Sequence, residues 1–280
     1  MNARQGDPPP APVPLRVETV DSHCHLDAMG VPVAEALAAA QAVGVRRVVT
    51  VGDTIASSRW CAATADSFAD VYAAVAVHPN ECADFTEADA DELARLAALP
   101  QVRAVGETGL DYYWGRVEPA VQQEVFRRHI EIAKQAGKAL VIHDRDAHDD
   151  VLRILDEVGA PDRTVFHCFS GDISMSRHCV DRGYILSFAG TITFKNAATL
   201  REAAAIVPLE QMLVETDAPF LTPTPYRGRP NAPYLVPLTV RGLASVRGVD
   251  EDEIAAATAA NAERVFGRWR LTRDAGCPPS

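Results

Sequence analysis

Short apolar segments rich in valine, isoleucine and alanine recur along the whole chain, separated by longer amphipathic stretches. Within each segment the apolar positions are continuous rather than alternating with polar ones, which is typical of strands buried on both faces. The sequence therefore predicts a parallel sheet whose strands are covered by helices. The eight predicted strands are residues 18–25, 45–52, 71–78, 102–109, 139–146, 164–171, 184–191 and 212–219.

Helical patterns fill the intervals between these strands, most clearly over residues 118–137. Pro119 suits a first helical turn, Phe126 and Ile130 lie on one face, and Gly137 is a good C-terminal stop. Eight strand–helix repeats in a chain of 280 residues are typical of a (β/α)8 TIM barrel, a fold of the α/β class.

The repeats run without an internal linker, so the sequence predicts a single barrel domain over residues 18–267. Residues 1–17 are rich in proline and are predicted to form a disordered N-terminal tail, and residues 268–280 a C-terminal tail. No apolar run reaches membrane-spanning length, and the N-terminus lacks the apolar region of a secretory signal. We therefore expect a cytoplasmic protein with no membrane partner, and nothing in the sequence implies a protein partner.

Residue types that bind metal ions stand at the end of one predicted strand after another. His23 and His25 share a strand and point the same way, because successive side chains of a strand alternate between its two faces. The others follow later apolar runs, and they are Glu107, His143, His167 and Asp217. Barrels of this kind carry their chemistry at the C-terminal rim. The pattern therefore predicts a divalent-metal hydrolase with its metal site at that rim.

The order of these residues along the barrel suggests a division of labour between two divalent metal ions. The paired imidazoles of the first strand suit one ion, and His143 and His167, on neighbouring strands, suit the other. Glu107 comes from the middle of the barrel order and suits a bridge between the ions. Asp217, on the last strand, could bind the first ion and take a proton from the attacking water. Glu107 and Asp217 are thus the predicted catalytic residues, while Mg²⁺, Mn²⁺, Zn²⁺ and Co²⁺ all stay open as the metal.

Several residues near the same rim are candidates for binding a substrate phosphate. His78 ends the third strand, Ser170 follows the sixth, Lys195 lies beyond the seventh, and Arg227 and Arg229 follow the eighth. Each has an ordinary alternative, such as rim packing for the histidine, a simple turn for the serine and a solvated surface position for the lysine.

Aromatic residues crowd the loop after the fourth predicted strand, where Tyr112 begins the run YYW. They could stack an unpaired base of a nucleic acid, or they could form a lid over the barrel mouth. The formal charge of −11 argues against a protein that coats nucleic acid non-specifically, because neutralising phosphates requires clustered basic residues. It does not exclude a nuclease, since two divalent ions would reverse the local sign of the charge.

The six cysteines show no regular spacing, as expected of reduced thiols. Cys24 and Cys168 stand beside proposed ligands, and strand alternation predicts that both face the helix layer as core residues. His129, His148 and His178 lie on helical patterns and are expected to be ordinary surface or core histidines.

The motifs together resemble one known family. DSHCHLD, VAVHP, VGETGLDYYW, VIHDRDA, FHCFSG, TFKNA, VETDAPFLTP and YRGRPNAP occur in this order. From about residue 18 to residue 267 the chain resembles the TatD-type metal-dependent deoxyribonucleases of the amidohydrolase superfamily. The resemblance implies a two-metal phosphodiesterase that acts on DNA, often from the 3′ end. It assigns His23, His25 and Asp217 to one metal site, Glu107 to the bridge, His143 and His167 to the other site, and His78 to the scissile phosphate.

One position departs from the family pattern, because the chain reads HPN after the third strand where many members read HPH. Asn80, at the place of the second histidine, can still hydrogen-bond a phosphate but cannot donate as a cation. Its contribution to substrate binding is therefore in doubt, whereas the metal site is unaffected.

The predicted function is a metal-dependent deoxyribonuclease, a phosphodiesterase of the 3′–5′ exonuclease type, acting on single-stranded DNA or on 3′ ends. The alternative is a related hydrolase of a small ester, lactone or amide, or of an aminoacyl-tRNA ester, because a barrel does not fix its substrate. A bridging Glu107 in place of a carboxylated lysine, together with the phosphate-directed residues, favours the nuclease. A non-catalytic binding module is disfavoured, since every ligand position is filled.

Overall fold

A computed structural model of the protein describes residues 6–269. Within that range, eight strands lie side by side in chain order and every neighbouring pair is parallel. The strands are β1 (Thr19–Cys24), β2 (Val45–Val51), β3 (Val71–Val75), β4 (Val102–Asp111), β5 (Ala139–Arg145), β6 (Thr164–Phe166), β7 (Ile185–Phe188) and β8 (Met212–Val214).

Helices alternate with the strands and cover the outside of the sheet. They are α1 (Val33–Gln41), α2 (Ile55–Ser67), α3 (Glu87–Ala97), α4 (Pro119–Ala136), α5 (His148–Val158), α6 (Ile173–Asp181), α7 (Ala198–Ile206), α8 (Val236–Arg247) and α9 (Glu251–Phe266). Helix α4 begins and ends where the sequence predicts: Pro119 occupies its first turn, and Gly137 ends it in the left-handed conformation, at φ 61°. The predicted (β/α)8 barrel is confirmed.

The first and last strands meet at a short seam near the C-terminal rim. There the backbone N–H of His25 donates to the carbonyl of Ala218 at 2.7 Å, and that of Asp217 donates to the carbonyl of His23 at 2.9 Å. Deeper in the seam, the carboxylate of Asp21 accepts hydrogen bonds from the backbone and the hydroxyl of Thr216. The two segments that carry predicted ligands therefore also close the barrel.

The core has two layers, as the continuous apolar strands predict. One set of strand residues faces the helices, while the alternate set, including Val49, Ala74 and Val141, fills the barrel interior. The N-terminal end of the interior is plugged by residues from the end of the chain, where the ring of Trp269 stacks on Tyr72 with centroids 3.9 Å apart. Chemistry is thus confined to the other end of the barrel.

Four strands, β3, β6, β7 and β8, are shorter than the sequence predicts. The backbone turns away from the sheet before the last residues of each predicted segment, so His78, His167 and Asp217 lie in loops just beyond the strand ends. Asp217 even adopts the left-handed conformation, at φ 55°. These turns aim the three side chains across the barrel mouth.

The described part of the proline-rich N-terminal segment lies extended against the barrel. Carbonyls of this segment accept hydrogen bonds from side chains of the β8–α8 loop and of α8, while Leu15 donates its N–H to Val43. Those donors are Arg229 to Asp7, Tyr234 to Pro9 and Arg241 to Val13. Residues 1–5 and 270–280 of the predicted tails lie outside the described residues. No helix within residues 6–269 has the length and apolar character needed to cross a membrane.

Candidate metal centre

The six predicted ligand side chains converge on the carboxylate of Glu107. Its Oε1 lies 2.7 Å from Nδ1 of His143 and 2.8 Å from Nε2 of His167. Its Oε2 lies 3.4 Å from Nε2 of His23 and 3.6 Å from Nε2 of His25. Each carboxylate oxygen therefore faces its own pair of imidazoles, an arrangement that suits a bridge between two cations.

Asp217 lies on the β1 side of this cluster. Its Oδ1 is 3.5 Å from Nε2 of His25 and 3.9 Å from Nε2 of His23. It also forms a compact group with His23 and His167, in which the candidate ligand atoms are all within 4.8 Å of one another. The side chain of Asp217 is 13% exposed and that of Glu107 only 5%, so Asp217 is the carboxylate that reaches toward the barrel mouth.

Three of the imidazoles are oriented by a hydrogen bond from the ring nitrogen that faces away from Glu107. In each case an N–H donates to a carbonyl or carboxylate oxygen, which fixes the tautomer of the neutral ring. The pairs are His25 Nδ1 with the carbonyl of Val51 at 3.0 Å, His167 Nδ1 with Glu215 at 3.1 Å and His143 Nε2 with Asp111 at 3.0 Å.

In these tautomers the other nitrogen of each ring points a lone pair at a carboxylate. Nδ1 of His143 and Nε2 of His167 then face Glu107 at 2.7 and 2.8 Å with no hydrogen between the atoms. Two acceptors at that distance repel unless a cation lies between or beside them. The donor set of neutral imidazoles and carboxylates is also one that divalent metals accept. The residues present therefore fit a metal centre.

The electrostatics of the cluster favour positive charge. Burial lowers the pKa of His167, but Glu107 and then Glu215 raise it well above its ordinary value. Burial raises the pKa of Glu107, but His167 and His143 bring it well below its ordinary value. A proton can thus satisfy the cluster in place of a metal, and the two must compete for it.

His78 and Asn80 lie beside the cluster but use their polar atoms differently. Nδ1 of His78 accepts the backbone N–H of Asn80 at 3.0 Å, so the neutral ring carries its hydrogen on Nε2, which is 3.7 Å from Glu107. Burial, followed by the charge of His143, lowers the pKa of His78 to about 3. Asn80 donates its amide to the carboxylate of Asp111 at 2.9 Å. The ring of His78 is therefore a neutral donor, and the amide of Asn80 is already engaged.

The other predicted substrate residues do not hydrogen-bond to any ligand residue within the described part of the chain. The hydroxyl of Tyr112 donates to Asp150 on α5, and that of Ser170 donates to the carbonyl of Asp144. Lys195 is exposed, and Arg227 lies over the ring of Phe194 at 4.2 Å. Arg229 donates to the N-terminal segment, as described above.

Three buried carboxylates that sequence reasoning did not select organise the site. Asp111 and Glu215 each accept a hydrogen bond from a predicted ligand histidine, and Asp21 accepts the backbone N–H of His23 at 3.3 Å. A signal was available in the alternation of strand side chains. Asp111 follows Glu107 by four positions, and Glu215 precedes Asp217 by two, the same spacing as between His23 and His25. Residues an even number of positions apart in a strand share a face, so both carboxylates could have been assigned to the face of the predicted ligands.

The two cysteines beside ligands differ from each other. Cys24 is fully buried in the layer between strands and helices, as predicted. Cys168 lies beyond the end of β6 in the left-handed conformation, at φ 42°, and is only half-buried, so strand alternation does not govern it. Its backbone N–H donates to Glu215 at 2.7 Å, which ties it to the site.

The sequence profile of the TatD-related DNase family matches residues 20–267. The chain belongs to this family. An uncharacterized metal-dependent hydrolase TatD of Mycobacterium tuberculosis is 49% identical over 257 residues, covering 89% of this chain and 97% of that protein. A TatD protein of Citrobacter rodentium, named a 3′-5′ ssDNA/RNA exonuclease, is 32% identical over 239 residues, covering 83% of this chain and 91% of that protein.

The fold agrees with solved structures of the TatD family. The crystal structure of the TatD homologue YJJV from Escherichia coli K12 superposes with a TM-score of 0.84 at 28% identity, covering 89% of this chain and 98% of that one. The organophosphorus hydrolase of Deinococcus radiodurans, at 16% identity and a TM-score of 0.59, shares the fold alone. This TatD protein is therefore a metal-dependent hydrolase, and the resemblance identified in its sequence is confirmed.

Proposed function

We propose that this protein is a 3′–5′ exonuclease that hydrolyses phosphodiester bonds at the ends of single-stranded DNA with the help of two divalent cations. The observation that carries the proposal is the divided environment of Glu107, whose two carboxylate oxygens each face a separate pair of imidazoles. Two cations bridged by one carboxylate are common in enzymes that cleave phosphodiesters, because such cations polarise the phosphate and lower the pKa of bound water to near neutral.

Asp217 is the candidate general base. Burial raises the pKa of Asp217, but its hydrogen bond with His25 and the charge of His167 lower it below the ordinary value. The carboxylate is therefore ionised at neutral pH and able to hold a proton taken from the attacking water. Its greater exposure, compared with Glu107, supports this role.

His78 supplies a hydrogen-bond donor on the opposite side of the cluster. The Nε2–H of its neutral ring lies 3.7 Å from Oε1 of Glu107. A neutral N–H donor can bind a non-bridging phosphate oxygen and does not repel the cations from their ligands. The donor is therefore compatible with a phosphate as the reacting group.

Two basic side chains at the rim are available for neighbouring phosphates. Lys195 follows β7 and is exposed, and Arg227 follows β8 and lies over the ring of Phe194; the side chains of both hydrogen-bond to no acceptor within residues 6–269. Arg229 differs, because it is held by the carbonyl of Asp7. With so few free cations and a net charge of −11, we expect cleavage of short single-stranded ends rather than tight binding of long duplex. The name of the Citrobacter relative supports the same substrate class and extends it to RNA.

The test is a gel assay of metal-loaded protein on 3′-labelled single-stranded and blunt duplex oligonucleotides, with DNA and RNA compared. We expect stepwise shortening of single strands from the 3′ end, with a shallow dependence on salt. The Asp217→Asn variant serves as the inactive control. Preference for interior duplex sites would contradict the proposal. Rapid hydrolysis of a small ester, lactone or amide without cleavage of any nucleic acid would replace it with the alternative hydrolase.

A further inference from the structure

Arg145, at the end of β5, is a cation that the proposed mechanism does not use. It follows His143 by two positions in the strand, so its side chain leaves the sheet on the same face, toward the barrel mouth. Within residues 6–269 its guanidinium forms no hydrogen bond and no ion pair. Most other basic side chains in that range are bound by an acceptor. Of those that are not, Lys195 and Arg227 follow β7 and β8 and were considered above. Arg177 and Arg268 lie outside the strand ends that build the site.

Arg145 instead contacts two exposed aromatic rings. Its guanidinium carbon is 3.9 Å from the ring centroid of Tyr113 and 5.5 Å from that of Trp114. The two rings meet edge to face with centroids 5.0 Å apart, and the residues are 55% and 54% exposed. An exposed aromatic pair beside a cation that has no carboxylate partner is typical of a binding surface.

The same loop is fixed to the metal centre through one buried carboxylate. Oδ1 of Asp111 accepts the backbone N–H groups of Tyr113 at 3.1 Å and Trp114 at 3.2 Å. Oδ2 of Asp111 accepts from Nε2 of His143 at 3.0 Å. Asp111 and Arg145 are also register partners in the β4–β5 pairing. The aromatic rings, the arginine and a metal-ligand histidine thus share one anchoring residue.

We propose that Tyr113, Trp114 and Arg145 form a nucleotide subsite, in which a ring stacks on an unpaired base and the guanidinium binds an adjacent phosphate. Asp111 is its positioning residue, since it holds the loop in register with His143. The subsite deepens the proposed exonuclease function and rests on it for its substrate. A single-stranded nucleic acid is the occupant that fits, because each nucleotide offers an exposed base face for stacking and an anionic phosphate close to it. A base inside a duplex must first unstack before its face can contact a protein ring.

The binding test uses a fluorescein-labelled single-stranded oligothymidylate and the same oligonucleotide with an abasic residue placed at each position near its 3′ end. Anisotropy is measured in the Asp217→Asn background and again with a chelator present, so that cleavage does not interfere. We expect Trp114→Ala and Arg145→Gln each to weaken binding roughly 5- to 100-fold, the range measured for base–aromatic stacking. One abasic position should weaken binding to the parent protein and have little further effect on Trp114→Ala.

The matched controls are Trp60→Ala, an exposed tryptophan on α2, and Arg177→Gln, a free arginine on α6. Losses equal to those of the controls would overturn the subsite, as would an abasic penalty that persists in Trp114→Ala. The affinity of the metal-free protein for Mn²⁺, measured by calorimetry, should be unchanged in Trp114→Ala, because only the backbone N–H of Trp114 contacts Asp111; a loss of metal affinity there would mean damage to the metal centre instead. If the parent binds the oligonucleotide in this pattern but cleaves none, the exonuclease proposal fails while the subsite stands.

Discussion

Nδ1 of His167 donates a hydrogen bond to Oε1 of Glu215 at 3.1 Å, so a fully buried carboxylate sets the direction of a ring at the centre of the site. The same oxygen accepts the backbone N–H of Cys168 at 2.7 Å. Glu215 therefore fixes both the ring and the turn that delivers it. The orientation of the His167 ring therefore depends on the segment that follows β8, from a residue two positions before Asp217.

Replacing Glu215 by glutamine should weaken metal binding without destroying the fold. The amide keeps the shape and one acceptor oxygen, but the loss of negative charge makes the His167 ring a poorer ligand. We expect the dissociation constant of one metal to rise roughly 10- to 100-fold. Isothermal titration calorimetry on the metal-free protein measures this, with Glu202→Gln, an exposed glutamate on α7, as the control. Unchanged affinity in Glu215→Gln would show that the hydrogen bond has no influence on the metal.

The Asp111→Asn variant tests His143, the second predicted ligand whose ring is oriented by a buried carboxylate. Asparagine retains an acceptor for the N–H groups of Tyr113 and Trp114, but its amide nitrogen cannot accept from His143. Metal affinity at the His143 side should fall roughly tenfold or more, while the aromatic loop keeps its place. Titration of the metal-free variant, combined with oligonucleotide binding, separates the two effects. A loss of oligonucleotide binding with full metal affinity would contradict the assignment.

Asp217→Asn should abolish hydrolysis while changing stability little. Asparagine preserves the shape of the side chain but lacks the basicity needed to accept a proton from water. The expected fall in kcat is on the order of 100-fold or more. Single-turnover assays at saturating metal, with a thermal melt as the folding check, measure it. Turnover near that of the parent protein in the metal-loaded variant would rule out Asp217 as the base.

The stability of the metal-free protein should fall as pH rises, whereas the stabilisation gained from metal should grow. Burial lowers the pKa of His25, but the hydrogen bond with Asp217 and the charge of Glu107 raise it beyond that, to about 9. In the metal-free protein the stabilisation from this raised pKa is complete below the ordinary value of 6.5 and is lost as pH rises through about 9. A bound cation needs the neutral ring, so metal affinity increases over the same range.

We therefore expect the Tm of chelator-treated protein to fall between about pH 6.5 and pH 9, and the stabilisation conferred by added metal to grow. Differential scanning calorimetry at several pH values, with chelator or with excess Mn²⁺, measures both trends. The His25→Gln variant should show a flatter profile in the metal-free series. A metal-induced increase in Tm that shrinks as pH rises would be inconsistent with proton–metal competition.

The fold and the predicted ligand set both follow from local signals in the sequence. Continuous apolar segments locate the strands, and the rule that barrel chemistry lies at strand ends selects residues such as Glu107 and His143. The supporting carboxylates escape this rule because they act across the structure. Glu215 and His167 are 48 positions apart, and Asp111 and His143 are 32 apart. The periodicity of the sequence does not indicate which distant carboxylate the ring of a histidine will face.

Residue type alone also says little about which rim side chains are free. Tyr112 is adjacent to the exposed rings, yet its hydroxyl is bound by Gln123 and Asp150. Arg227 and Arg229 are two positions apart, and only the second is held by the N-terminal segment. That segment is proline-rich, but its carbonyls remain good acceptors, because proline lacks only the N–H. Long-range partners of this kind become visible only once the chain is folded.

The short seam between β1 and β8 joins two segments that carry predicted metal ligands, so a bound metal would reinforce barrel closure. The side chains of Asp21 and Thr216, 195 positions apart, and the backbones of His23 and Asp217 hold the seam. A cation bound by His23 and Asp217 would cross-link the two ends of a loop that spans most of the chain, and so stabilise the closed barrel. Without it, we expect β1 and β8 to separate first and become two unprotected edge strands. Such edges pair with other molecules, so loss of metal should lead to self-association as well as to inactivity.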